Sequence, residues 1–306
     1  MKEFSFVVND EITGERVDKC ISDMYEDFSR SYIQKLVKDG LVKVNNKVVK
    51  GSFVLKEGDF VYFETPDSII PDIIPEDIPL DILYEDDDVI VINKPKDMVV
   101  HPAAGHYTGT LVNGLMFYLK DGESYRLSGI NGVLRPGIVH RIDKDTTGSL
   151  IICKNDKAHE SLAAQLKEHS INRVYVAVVH GVLKDDEGVI NMPIGRSDKD
   201  RKKMAVNVNH AKNAVTHYKV LKRFEKYTFV ELKLETGRTH QIRVHMSAIN
   251  HPVIGDEVYC MQKCPFNLKG QTLHAKTLGF IQPSTGEYVE VDAPLPDYFI
   301  DLLNKL

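Results

Sequence analysis

The sequence predicts an α+β protein, with a large domain built on a mixed, mostly antiparallel β-sheet flanked by helices and a small N-terminal α/β module ahead of it. Three observations lead there. Apolar residues alternate at period two through Val230, Leu232 and Leu234, the pattern of a half-buried strand. Helical and strand-like segments succeed one another without the regular β-α-β-α rhythm of a parallel sheet. Pro66, Pro71, Pro75 and Pro79 recur among Asp and Ile between two regions that each have their own apolar periodicity. The boundaries that follow are residues 1–65 for the module, 66–80 for an extended linker that lets the domains move independently, and 81–306 for the large domain.

The chain is 306 residues long and 42% hydrophobic, enough to bury sizeable cores. No apolar run approaches the roughly 20 residues of a membrane span. Met1-Lys2-Glu3-Phe4-Ser5 lacks the apolar stretch of a signal peptide, so the expectation is a cytoplasmic protein with no membrane partner. Cys20, Cys153, Cys260 and Cys264 are scattered, and we expect free thiols.

In the module, Arg16, Val17, Ile21 and Met24 suggest a first helix. A second, capped by Ser29 or Ser31, carries Ile33, Leu36 and Val37 on one face and stops at Gly40. Strands then follow at Leu41–Val44, after the turn pair Asn45-Asn46 at Lys47–Val49, and after Gly58-Asp59 at Phe60–Phe63. The net charge of −5 divides unevenly: −2 for residues 1–65, −9 for 66–90 and +6 for 91–306. Within residues 28–50, Arg30, Lys35, Lys38, Lys43, Lys47 and Lys50 face only Asp39. Basic residues every third or fourth position are also common on a solvated helix face. Here the charge continues off the helix into the turn, and a clustered strip of that kind can track phosphates on an anionic protein.

The large domain opens with the strand Val89–Ile92 leading into Asn93-Lys94-Pro95. Later come a helical stretch over residues 158–169, a strand from Arg173 to Val179 ending at Gly181, and strands over 216–221 and 227–235. Two segments stand out. His140-Arg141-Ile142-Asp143-Lys144-Asp145-Thr146-Thr147-Gly148 places carboxylates between cations directly before the apolar run Leu150–Cys153, so a core strand anchors the loop and fixes Asp143. Gly237-Arg238-Thr239-His240-Gln241-Ile242-Arg243-Val244-His245 crowds four polar groups among apolar ones, on the first turns of a helix running to about Asn250. Such density on a partly buried element needs partners or a function. Taken alone, Asp143 is as readily a solvated partner of Arg141, because short motifs match by chance.

Together, in this order, the two segments resemble the signature of the RluA-type pseudouridine synthases. Strand Val89–Pro95, His101-Pro102, Thr110-Leu111-Val112-Asn113-Gly114 and the C-terminal Leu273-His274-Ala275 through Pro296 continue the likeness over nearly the whole chain. The N-terminal module is similar to the S4-like RNA-binding module. The resemblance implies an isomerase that breaks the bond between ribose and the uracil nitrogen, turns the base and rejoins it through carbon 5. No redox step or added group is needed, so no cofactor and no metal are implied, and the chain lacks a Walker-type loop or dinucleotide Gly cluster.

By resemblance Asp143 is the catalytic aspartate, attacking the sugar or removing a sugar proton. Arg243 is the cation that favours its charged form. Tyr175 is the active-site tyrosine that stacks on the extruded base, although by itself it reads as an ordinary strand aromatic. His140 and Arg141 flank Asp143 and approach the RNA, with Arg30, Lys35 and Lys38 of the module as further RNA contacts. One departure is visible: Arg173 stands where many relatives have Lys, which keeps the charge. The basic loop Lys199–Met204 and Lys219, Lys222, Arg223 and Lys226 are equally readable as phosphate contacts or as solvated loops.

The implied partner is RNA, most readily large-subunit ribosomal RNA, with tRNA as the alternative substrate and a monomer as the expected state. A non-catalytic RNA-binding protein explains the module and the basic patches, but not the Asp143 loop with its distant arginine motif. A metalloenzyme is disfavoured because His240 and His245 are five apart, on different helical faces. A glycosidase is disfavoured because Asp143 and Asp145 on one loop are poorly placed to straddle a sugar at the ~5–9.5 Å that mechanism needs.

Overall fold

The structure, a computed structural model, describes residues 2–25, 28, 30–65, 73–103, 106–122, 124–130, 135–198, 200, 203–262 and 264–306. The chain divides into two compact units, Met1–Ile70 and Pro71–Leu306. Among the described residues no helix is long and apolar enough to cross a membrane.

The first unit contains β1 (Lys2–Val7), α1 (Val17–Met24), α2 (Arg30–Lys38), β2 (Val42–Val44), β3 (Lys47–Val48) and β4 (Phe60–Thr65), with its sheet ordered β1-β4-β2-β3. The helices bury Val17, Ile21, Ile33 and Leu36 on the sheet residues Val42, Val61 and Phe63. Asn45 and Asn46 both take positive φ, 49° and 62°, as a two-residue hairpin turn requires, and Gly40 leaves α2 at φ 75°. The sequence pattern does not reveal β1. It pairs along the whole of β4, and Phe4 stacks on Phe63 at 4.9 Å, so this N-terminal segment is an edge strand that packs Phe4 and Phe6 on the core. Ser29 lies outside the described residues, as does the side chain of Ser31.

The second unit runs β5 (Ile82–Glu85), β6 (Val89–Lys94), α3 (Leu111–Tyr118), β7 (Lys120–Asp121), β8 (Ser124–Tyr125), β9 (Thr147–Cys153) and α4 (Asp156–Lys167). It continues through β10 (Asn172–His180), β11 (Glu187–Asn191), β12 (Ile194–Arg196), β13 (Met204–Val206), β14 (Val215–Arg223), β15 (Tyr227–Leu234) and α5 (Gln241–Ala248). Last come β16 (Leu273–Ile281), β17 (Tyr288–Asp292) and α6 (Asp297–Lys305). Nine strands form one sheet in the order β11-β14-β15-β10-β16-β9-β6-β5, and β17 also pairs with β16. Its pairings are antiparallel except β9 with β16, giving the mixed, mostly antiparallel sheet that the irregular alternation predicts.

Strand composition follows burial. In β6 and β9 the apolar runs are continuous because both faces are covered. Ile90, Ile92, Leu150 and Ile152 meet Leu111 and Leu115 of α3 on one side, and Val89, Val91, Ile151 and Cys153 meet Ala158 and Leu162 of α4 on the other. β15 alternates instead, sending Val230, Leu232 and Leu234 toward Ile242 and Met246 of α5. Caps fix two of these helices. Asn155 accepts the Ala158 N–H at 2.9 Å ahead of α4, and Thr110 with Asn113 forms a capping box ahead of α3.

The short parallel pairing of β9 with β16 demands Gly148. Its φ is 104°, and a Cβ there would lie 2.2 Å from the Ala275 carbonyl oxygen. A side chain would therefore force apart the two strands at the point where the Asp143 loop enters the sheet.

The expected linker is corrected over its second half. Residues 66–72 lie outside the described residues, but Ile73 is buried among Ile90, Val112 and Leu115. Asn113 donates to the Ile74 carbonyl at 2.8 Å, and the Glu76 carboxylate accepts the Gly109 N–H at 3.0 Å. Ile73 is the apolar anchor, Ile78 packs beside Gly114, and with these hydrogen bonds they tie residues 73–78 to the second unit.

Candidate active site

The Asp143 loop, residues 140–146, ends where β9 begins, and the Thr146 N–H donates to the Asp143 carbonyl at 3.0 Å to close a turn. From the other side comes α5, whose third residue is Arg243. Its Nη1 donates to Asp143 Oδ2 at 2.8 Å, with the arginine side chain 6% exposed and the aspartate 25%. The two sequence motifs, 100 residues apart, therefore meet in one ion pair.

A third residue, unrecognised in the sequence, completes the arrangement. Asp256 takes Arg243 Nε at 2.6 Å and Nη2 at 2.9 Å, a bidentate fork. It also accepts the Val258 and Tyr259 N–H groups at 2.9 and 3.0 Å. Burial alone would raise the Asp256 carboxyl, but the hydrogen bonds and charge of Arg243 hold it below the ordinary value of 3.8. Burial would likewise lower Arg243, and the two carboxylates raise it instead. One guanidinium thus serves two carboxylates, and the Asp143 end alone faces the cleft.

His240 sits just before α5 in the left-handed region, φ 57°, which swings its ring toward the loop. Its Nε2 lies 3.8 Å from Asp143 Oδ1 and its Nδ1 lies 2.7 Å from the Tyr259 hydroxyl. That hydroxyl accepts the Met204 N–H at 2.9 Å. Burial lowers the His240 pKa against the opposing pull of Asp143. For a neutral ring we assign the Tyr259 proton to Nδ1, which leaves the Nε2 hydrogen facing Asp143. The Arg243 guanidinium lies over the Tyr259 ring at 5.1 Å.

The polar crowding of the second motif has two explanations. His240 and Arg243 face the cleft. Gln241 accepts from Thr236 Oγ1 and the Arg238 N–H at 2.8 and 2.9 Å and donates to the Val215 carbonyl at 2.9 Å, while His245 bonds Thr216 Oγ1 and the Met192 carbonyl, both at 2.9 Å. These two lock α5 onto β14 and onto the loops that follow β11 and β15. The loop has its own anchor in Lys94, fully buried at the end of β6. Its ammonium donates to the carbonyls of Pro95, Met98 and Lys144 at 2.8, 2.9 and 2.8 Å, and burial pushes its pKa down to about 7. The contact to Lys144 pins the residue next to Asp143.

A cleft of about 500 Å³ opens over the pair, lined by Asp143, Arg243, His240, Tyr175, His140 and Arg141 among others. Tyr175, on β10, is 8% exposed. Burial raises its hydroxyl. Arg141 is exposed. His140 is half-buried and accepts the Ile151 N–H at 3.3 Å through Nε2. Burial and the charge of Arg173 push its pKa down to about 3, so its ring is neutral.

Against this geometry stand the comparisons with known proteins. Residues 88–248 match the model of the RNA pseudouridylate synthase family, and residues 15–61 match that of the S4 domain. The chain belongs to the RNA pseudouridylate synthase family. It is therefore an isomerase that converts uridine to pseudouridine in RNA. A Bacillus subtilis (strain 168) protein described as an RNA pseudouridine synthase is 52% identical, the match covering all of this chain and 99% of the relative. The ribosomal large subunit pseudouridine synthase D of Pseudomonas aeruginosa is 41% identical, over 97% of this chain and 93% of that one. Among solved structures, human RNA pseudouridylate synthase domain containing 4 superposes with a TM-score of 0.59 at 25% identity, covering 74% of this chain and 92% of that chain.

The basic residues expected to meet RNA divide. Arg30 is committed within the first unit: with Arg16 and Gln34 it surrounds the fully buried Asp18, the Arg30 contacts being 3.3 Å. Lys35 and Lys38 of α2 are exposed and have no ion partner among the described residues. In the second unit Arg223 is tied to the Leu183 carbonyl at 2.8 Å and to Asp186 at 2.7 Å. Lys199, Arg201 and Lys202 lie outside the described residues.

Asp256→Asn leaves Arg243 without half of its counter-charge. We expect a loss of about 3 kcal/mol in thermal unfolding, the scale of a broken buried pair, and a fall of roughly 100-fold in single-turnover rate. Because folding lowers this carboxyl below 3.8, its contribution is full above that pH and disappears as pH drops through the folded value. The Asn variant should lose that part of the acid dependence. A variant with unchanged melting and rate would show that Asp256 does not orient the arginine.

Proposed function

We propose that Asp143 is the carboxylate that carries the reaction, that Arg243 holds it in place, and that Tyr175 is the surface on which the target base stacks. The observation that supports this most strongly is the 2.8 Å pair between Asp143 and Arg243 at the cleft, where one Asp143 oxygen is engaged by the guanidinium. The other faces the space a sugar would enter.

A uridine inside a helix cannot reach this carboxylate. It must leave its stack, at a cost on the order of a few kcal/mol, recovered partly by stacking on Tyr175 at roughly 1–3 kcal/mol. Asp143 then either bonds to C1′ as the bond to N1 breaks or takes the proton from C2′ to give a glycal. The freed base turns, C5 bonds to C1′ as the Asp143–C1′ bond breaks or as Asp143 returns the proton to C2′, the C5 proton leaves, and N1 takes up a proton. The Tyr175 hydroxyl lines the same cleft, and its oxygen can accept the C5 proton as its own hydrogen passes on. Arg141, exposed beside the cleft, fits the strand around the extruded base, with His140 as a neutral wall. The reaction exchanges nothing with a second reagent, so the chain works without a nucleotide cofactor, and we place it in the cytoplasm as a monomer.

The substrate we propose is large-subunit ribosomal RNA, supported by the names of relatives at 40–42% identity over almost the full chain. In this reading residues 1–65 grip RNA through Lys35 and Lys38, and residues 81–306 perform the isomerisation.

The full-length chain, incubated with an unmodified large-subunit RNA transcript and excess chelator, should form pseudouridine. Asp143→Asn should bind the same RNA and lose at least about 1,000-fold in rate. Pseudouridine formed by the variant, or by the wild type on tRNA alone, would overturn the assignment. Separately, Lys35→Gln with Lys38→Gln should lower RNA affinity and reduce the salt slope of binding by about 1–2, the release expected for two phosphate contacts. An unchanged slope would remove these lysines from the interface.

A further inference from the structure

Buried cations in this chain have counter-charges or a full set of acceptors, with one exception among the described residues. Arg243 has two carboxylates, Lys154 has Glu85 at 2.8 Å, and Lys94 has three carbonyls. Arg173, only 7% exposed, has a single long hydrogen bond from Nη2 to the Glu235 carbonyl at 3.3 Å. Its Nε is buried with no partner, and no carboxylate pairs with it among the described residues. A guanidinium buried in this state is costly unless an electron-rich group arrives to meet it.

Its position identifies that group. Arg173 lines the same cleft as Asp143. It stands two residues before Tyr175 on one strand, so both side chains leave the same face of the sheet. A base lying on the Tyr175 ring would present an edge to the guanidinium. The second motif makes room for it: a Cβ on Gly237 would lie 2.7 Å from Arg173 Nη1. Phosphates belong at the rim, where the chain passes. What enters to this depth is the extruded base.

We propose that Arg173 is a catalytic residue that binds the ring oxygens of the target uracil and stabilises the base as it departs from the sugar. When the C1′–N1 bond breaks, its electron pair stays on N1 and spreads onto O2 and O4, while Asp143 satisfies the sugar by bonding C1′ or by accepting the C2′ proton. The base is then an anion beside a buried guanidinium, where a preplaced cation acts most strongly. When C5 attacks C1′ the pair returns to the new bond, and the charge on the oxygens disperses. His140 does not compete for the anion, because its ring is neutral.

The inference rests on the proposed Asp143 site, and the test separates the two. Single-turnover cleavage of the N-glycosidic bond is measured for full-length wild type, Arg173→Gln and Arg173→Lys on two RNAs, with uridine or 5-fluorouridine at the target position. Fluorine withdraws electrons and stabilises the departing anion, so its cleavage depends less on a protein cation. Arg173→Gln should lose about 100-fold or more on uridine and at least about tenfold less than that on 5-fluorouridine, with RNA affinity unchanged and partial recovery in Arg173→Lys. Gly237→Ala keeps the arginine but displaces its head, and should show the same selectivity even if Arg173→Gln folds poorly. Equal losses on both RNAs would overturn the proposal in favour of a structural role. A loss confined to affinity, with a flatter salt dependence, would assign Arg173 to phosphate. An active Asp143→Asn would instead remove the site itself.

Discussion

The site depends on one guanidinium held between two carboxylates. Removing one member of such a buried set costs about 3–5 kcal/mol because the others are left uncompensated, so the arrangement is rigid in use. Asp256 is the fixed end, gripped by two backbone N–H groups of its own loop. Asp143 is the open end, 25% exposed and facing the cleft. Orientation is thus supplied from behind Asp143, and the front is free for a nucleotide.

The rest of the second unit is arranged to keep these ends together. α5 is fastened by Gln241 and His245, whose polar atoms are satisfied by β14 and by the loops that follow β11 and β15. The Asp143 loop is fastened by the buried ammonium of Lys94 and by the strand β9, which runs close against β16 because Gly148 has no side chain. A sheet covered on both faces at β6 and β9 gives the loop a stiff base.

Much of this was legible in the sequence, for identifiable reasons. Asp143 and Arg243 each lie in a dense polar segment next to an apolar run, and the alternating Val230, Leu232 and Leu234 marked β15. Asp256 was hidden because its role comes from a tertiary contact in a loop with no periodicity; the adjacent Gly255, at φ 77°, is the local sign of a tight backbone there. Lys94 reads as the polar end of a strand, and nothing local shows that its ammonium turns inward to three carbonyls. Gln241 and His245 were visible as unexplained polar groups, and their explanation is scaffold. β1 was missed because a six-residue strand at the chain start is defined by its partner β4. Arg30 reads as part of the basic strip because its partner Asp18 sits 12 residues earlier, on another helix.

The most direct test of the account is the single-turnover rate of Arg243→Gln, measured beside its affinity for the same RNA. Loss of at least about 1,000-fold in rate, with dissociation constants within a few-fold of wild type, is the expected result. A variant that forms pseudouridine within about tenfold of the wild-type rate would contradict the claim that the guanidinium between Asp143 and Asp256 sustains the chemistry.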